Sequence, residues 1–234
     1  MNKPKSIYLM AGGRAARKGG DPVIQAIFKE IGVATPIVAY VGVASDDDPG
    51  FYKMISQMIQ KSADCRFTHP LLVSAKADIE KAKATLQSAD AIFMSGSDVE
   101  AGMQVLRTKK LITFFRDLYG SGKLFFGASA GSIMLAREWV RWVDPEDDST
   151  AELFPCLGLA PLICDTHAEE DDWAELQTAL KLQKTISIGY GIASGSTLKV
   201  STGGQMEASG GTVAVFQGNI QEIQRLKDLQ PIST

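Results

Sequence analysis

Short apolar runs alternate with longer amphipathic segments through the first half of the chain, and this alternation constrains the fold more than any other feature. Ile37-Val38-Ala39-Tyr40-Val41-Gly42-Val43 and Ala91-Ile92-Phe93-Met94 have no polar face to turn toward water, as expected of strands covered on both sides. Residues 6–10 and 123–126 read the same way, and 67–73 reads as a further strand weakened by Pro70. Between them the spacing predicts helices over 21–31, 51–61, 78–87, 99–107 and 109–119. Asp21 is placed to cap the first of these, with Pro22 at its first position. Strands alternating with helices require right-handed crossovers, so the expected fold is α/β: a mostly parallel sheet with helices on both faces. Residues 185–188, 197–200 and 212–216 are shorter, more solvated strands between glycines. They predict a small additional β region near the C-terminus, either an antiparallel edge or a second sheet. A length of 234 residues suits one α/β domain, expected to span 1–234.

Sites in such sheets lie beyond the carboxyl ends of the strands. One of those ends is Leu124-Phe125-Phe126-Gly127-Ala128-Ser129-Ala130-Gly131-Ser132, which fits G-x-S-x-G between an apolar strand and a helix-forming run. Strand, tight turn and helix together present a serine at the top of a sheet, with small neighbours that let the backbone approach. Ser129 is therefore the expected nucleophile. The N–H of Ala130, at the start of the helix, is placed to donate to an oxyanion. A second donor is expected from the Ser95-Gly96-Ser97-Asp98 loop, through Gly96 and Ser97. The bland alternative is a turn in which Ser129 only caps a helix.

Only His69 and His167 can supply an imidazole. His69 lies before the serine in an apolar segment and reads as structural. His167 follows the serine at the end of the apolar run Leu162-Ile163-Cys164-Asp165-Thr166, and it is the expected base. The acid that orients it is open between Asp144 and Asp165, the latter on the same face as His167 if that segment is extended. Glu169-Glu170-Asp171-Asp172 form an acidic run that reads as a solvated helix start ahead of Trp173.

Net charge is −3, which provides no basic footprint for nucleic acid. No apolar stretch approaches the roughly 20 residues that span a bilayer, and the run at Ile7–Met10 is too short for a secretory core. The expectation is a cytoplasmic protein with no nucleic-acid or membrane partner, for which a homodimer is compatible. Cys65, Cys156 and Cys164 lack metal-ligand spacing and read as buried free thiols. Gly12-Gly13 and Gly19-Gly20 make neither a dinucleotide fingerprint nor a phosphate loop.

The elbow at Gly127 to Ser132, the Ser95 to Asp98 loop, the later His167 and the strand 36–43 followed by Ala44-Ser45-Asp46 resemble the dipeptidase E and cyanophycinase family of serine peptidases. The resemblance runs from Ile7 to about Val200. It implies a sheet flanked by helices, similar to class I glutamine amidotransferases with serine replacing their cysteine. It also implies cleavage of small peptides beside aspartyl residues, without metal or organic cofactor. By their spacing, Asp144 and the Asp165-Thr166-His167 triplet are both similar to acids of that family. Three departures stand out. The stretch after His167, arginine-containing in the family, is acidic here and would repel an aspartyl carboxylate. Where many members place a glutamate, this chain has Ala193-Ser194-Gly195-Ser196, and Ser95 and Ser97 stand where glycines are common. The expected function is thus a serine-type peptidase or amidase acting on a small peptide or isopeptide bond. The alternative is a degenerate binding or regulatory protein on the same scaffold. An amidotransferase-like partner subunit is disfavoured by the absence of cysteine at position 129.

Overall fold

Asp21 accepts a hydrogen bond from the N–H of Val23 and Asp48 one from Phe51, and in each case a proline at the first helical position follows the cap. These local signals set where the helices of the first half begin. The computed structural model of the chain describes residues 3–13 and 20–232. Along the chain come β1 (Ile7–Met10), α1 (Pro22–Ile31), β2 (Ile37–Val41), α2 (Pro49–Gln60), β3 (Arg66–Thr68), α3 (Ile79–Ser88) and β4 (Ala91–Met94). Then follow α4 (Val99–Thr108), α5 (Ile112–Gly120), β5 (Leu124–Ala128) and α6 (Ala130–Leu135).

β3 stops short of the strand expected over 67–73. Past Pro70 the N–H groups of Leu72 and Val73 turn to the carboxylate of Asp47, at 2.6 and 2.8 Å, instead of to a neighbouring strand. The N–H groups of a buried segment must go somewhere, and here a side chain takes them.

The second half is richer in strands: β6 (Glu138–Trp142), β7 (Ala151–Pro155), β8 (Ile163–Thr166), α7 (Ala174–Lys181), β9 (Ser187–Ile192), β10 (Thr197–Val200), β11 (Met206–Ser209), β12 (Val213–Gly218) and β13 (Ile223–Arg225). Two sheets result. The seven-stranded sheet has the order β11-β10-β1-β5-β4-β2-β3, parallel from β1 to β3 with β10 and β11 as an antiparallel edge. The six-stranded sheet has the order β13-β12-β9-β8-β6-β7, with β6, β8 and β9 parallel. The additional β region expected near the C-terminus is this second sheet together with the antiparallel edge of the first.

Residues alternate across the first sheet. Tyr8, Val38, Tyr40, Phe93 and Phe126 pack under α1 and α2, while Ile7, Leu9, Val41, Ile92 and Phe125 face the core shared with α4, α5 and α6. That shared core also takes Cys164, Ile192 and Val213 from the second sheet. The opposite face of the second sheet is covered by α7 through Leu176 and Leu180, and by Trp173 just ahead of it. α6 is buried on every side, which explains its composition of small and apolar residues. A Cβ at Gly131 would run into the carbonyl of Met94, and one at Gly127 into the backbone of Gly131. The two glycines of the motif therefore let the helix sit directly on the strands.

Candidate active site

β5 ends in Ala128, α6 begins at Ala130, and Ser129 makes the whole connection with φ 53° and ψ −128°. Backbone in this region costs a non-glycine residue about 1–3 kcal/mol and persists only where its surroundings hold it. The carbonyl of Met10 does much of the holding: it accepts from the Ser129 N–H at 2.9 Å and from the Ser132 hydroxyl at 2.8 Å. β1 is thus the strut of the turn. Ser129 Oγ lies 2.7 Å from His167 Nε2.

His167 comes from the other sheet. It follows β8 directly, has φ 48°, and its N–H donates to the Ile192 carbonyl of β9 at 2.9 Å. For Nε2 to accept the serine proton, Nδ1 must carry the ring hydrogen.

The expected oxyanion donors converge on the same place. A Cβ at Gly96 would stand 2.9 Å from the Ser129 Cβ, so only glycine allows this loop to lie against Ser129. Ser97 adopts φ 127°, a conformation that favours glycine, so the loop keeps the turn of a glycine here at the cost of local strain. Among the described residues, the N–H groups of Gly96, Ser97 and Ala130 are not taken up by any backbone carbonyl. Asp98 caps α4 through the Ala101 N–H at 2.9 Å, which leaves the preceding amides unspent.

The acids separate clearly. Asp144 lies exposed in the β6–β7 turn, where its Oδ1 accepts from the Glu146 N–H, and it does not line the cavity at Ser129. The structure does not bring it to the histidine, because the hairpin consumes it as a turn residue. Asp165 does line that cavity, is 4% exposed, and accepts from the Thr166 N–H at 2.7 Å. Its other oxygen, Oδ2, is buried, finds no partner among the described residues and makes no bond to His167. Burial pushes its carboxyl up to about 7, with Glu175 and Asp171 adding to the effect.

Glu169, read from sequence only as part of the acidic run, stands beside the histidine. Its Oε1 accepts from the Ser194 N–H at 3.1 Å. Burial opposes its charge, but the bond from Ser194 and the charge of His167 hold it below the ordinary carboxylate range. Two signals could have found it: it lies two residues past His167, and Ser194 occupies the stretch where the family's glutamate is missing.

His69, the structural alternative, stacks on Tyr52 at 4.4 Å between centroids and sits 3.7 Å from Asp47, away from the serine cavity. Cys65, Cys156 and Cys164 are buried and free. Gly12 and Gly13 follow β1 and line a cavity beside Ser129, while Gly19 lies outside the described residues.

A serine held on a strained strand-to-helix turn, with an imidazole in hydrogen-bond reach and amides left free around it, defines a serine hydrolase of the nucleophile-elbow type. The family model of peptidase family S51 matches residues 7–207, and the chain belongs to that family; it is a serine-type peptidase. A crystal structure of a peptidase from an acI-B1 Actinobacterium superimposes with a TM-score of 0.70 at 16% identity, covering 97% of each chain. A protein assigned as peptidase E from Listeria monocytogenes EGD-e gives 0.61 at 14% identity, over 96% of this chain and 100% of that one. At these identities the likeness is one of fold. No curated protein sequence matches the chain. Among the described residues, no helix is long and apolar enough to cross a membrane.

Proposed function

We propose that the chain cleaves a small peptide or isopeptide bond with Ser129 as nucleophile and His167 as general base and acid. Ser129 Oγ attacks the carbonyl carbon while its proton passes to His167 Nε2. The oxyanion that forms is received by the N–H of Ala130 and of the Gly96–Ser97 loop. Collapse breaks the C–N bond, the amine leaves with the proton from His167, and water then releases the acyl group by the same steps in reverse order. The observation that carries this reading is the 2.7 Å contact between Ser129 Oγ and His167 Nε2 across the two sheets. A degenerate binding protein would have no need to hold a serine in strained backbone against an imidazole.

Glu169 acts as a positioning residue, its carboxylate favouring the imidazolium that forms during attack. Asp98, Asp165, Asp171 and Glu175 line the cavity of about 410 Å³ at the serine. Burial favours the protonated forms of Asp165 and Glu175, so the carboxylates of Asp98 and Asp171 are the ones that disfavour an aspartyl side chain on that side.

The test is hydrolysis of a peptide panel by wild type, Ser129→Ala and His167→Gln. Both variants are expected to lose about a thousandfold or more in kcat/KM. Undiminished hydrolysis by a clean Ser129→Ala preparation contradicts the reading.

A further inference from the structure

A second cavity, of about 530 Å³, opens beside the nucleophile between α1 and α2. It shares only Ser129 and His167 with the acidic cavity. Its wall is apolar: Ile24 from α1, Phe51, Met54, Ile55 and Met58 from α2, and Phe93 from β4. Met54 and Met58, one helical turn apart, are 54% and 49% exposed. Core packing does not account for them, since a half-exposed methionine pair beside a reactive serine leaves apolar surface in water. The charged lining residues among those described are Asp21, which caps α1 through the Val23 N–H, and Lys61 at the end of α2.

The volume lies within the range that encloses a small ligand, so it accommodates a large side chain and adjoining backbone. Methionine walls adapt to differently shaped apolar groups and do not select one. Each methylene withdrawn from water here raises binding about fourfold, whereas a carboxylate set against Phe51, Met54 and Ile55 loses hydration, with Lys61 the one lining cation among the described residues.

We propose that this cavity is the side-chain subsite of the peptidase, and that its substrates carry a bulky aliphatic, methionyl or aromatic residue beside the scissile bond in place of an aspartyl residue. The proposal rests on Ser129 being the nucleophile. That dependence shapes the test, which compares labelling rates of Ser129 by two fluorophosphonates that differ only in a methyl or an octyl chain. In both, Oγ displaces fluoride from phosphorus and the serine proton leaves with the base.

The octyl probe is expected to react at least tenfold faster than the methyl probe. Met58→Glu and Met54→Glu, both at half-exposed positions that tolerate a charge, are expected to lower this ratio severalfold. A matching result is expected from dipeptides varied at each position, with Leu, Met or Phe exceeding Asp at one position by about tenfold or more. Equal rates for the two probes, an unchanged ratio in both variants, or a preference for Asp overturns the subsite while leaving the nucleophile standing. Failure of both probes to label the wild type overturns the nucleophile and the subsite with it.

Discussion

Asp165 is the residue whose chemistry is most out of keeping with its surroundings. A carboxylate that is 4% exposed, with one oxygen unpartnered, gains more from holding its proton than it would in the unfolded chain. Its folded value of about 7 against an ordinary 3.8 means that the native state binds the proton more tightly. Stability from this group is therefore complete below about 4, falls as pH rises through 7, and is lost above it. Asp165→Asn removes the component. In denaturant titrations the variant should gain on wild type as pH rises from 4 to 8, by on the order of 3–4 kcal/mol at the upper end. A constant difference across that range contradicts this assignment. Glu169 behaves oppositely, as an exposed carboxylate held in its charged form. Glu169→Gln is expected to lower kcat about tenfold, with the deficit shrinking as salt rises, because exposed charges are screened. A deficit independent of salt would assign Glu169 a purely structural role. That Ser129 and His167 would meet was legible in the sequence because motif and chain order constrain them. The place of Glu169 beside the histidine was not, because an acidic run looks the same whether it meets solvent or a histidine. Asp144 was attractive only by its spacing from Ser129, and spacing does not reveal that a hairpin has turned it outward.

Elements built on local signals were the easiest to read. α1, α3 and α4 begin where Asp21, Asp78 and Asp98 cap them, and β1, β2, β4 and β5 are the apolar runs themselves. β6 and β7 escaped, because Glu138-Trp139-Val140-Arg141-Trp142 is a half-exposed strand of mixed charged and aromatic residues with no continuous apolar run. α1 is also held from its far end. Glu30 accepts from the Tyr8 hydroxyl at 2.6 Å and the Ser6 N–H at 3.1 Å, and pairs with Lys199 at 3.0 Å, clamping the helix to β1 and β10. Burial opposes the Glu30 charge, but these donors bring its carboxyl down to about 2 from an ordinary 4.5. The clamp thus contributes fully above pH 4.5 and is lost as pH falls toward 2. Glu30→Gln should be less stable than wild type at neutral pH by about 1–2 kcal/mol, with the difference closing in acid. Thermal melts at pH 7 and pH 3 check this, and a difference that widens in acid refutes it.

At the scale of the whole molecule, the site is a seam. Ser129 arrives on the seven-stranded sheet, His167 on the six-stranded one, and the buried helix α6 packs against strands of both. The α/β class was legible from alternation alone. The extent of the second sheet was not, since its strands are short, half-exposed or interrupted by glycines such as Gly189 and Gly191 and so lack a continuous apolar run. The central claim is that the two sheets meet to activate one serine. Intact-mass analysis after exposure to a small fluorophosphonate tests it most directly, on wild type, Ser129→Ala and His167→Ala. The account predicts a single adduct on wild type, none on Ser129→Ala, and labelling slowed at least a hundredfold on His167→Ala. An adduct that persists in Ser129→Ala, or labelling of wild type no faster than that of His167→Ala, would contradict it.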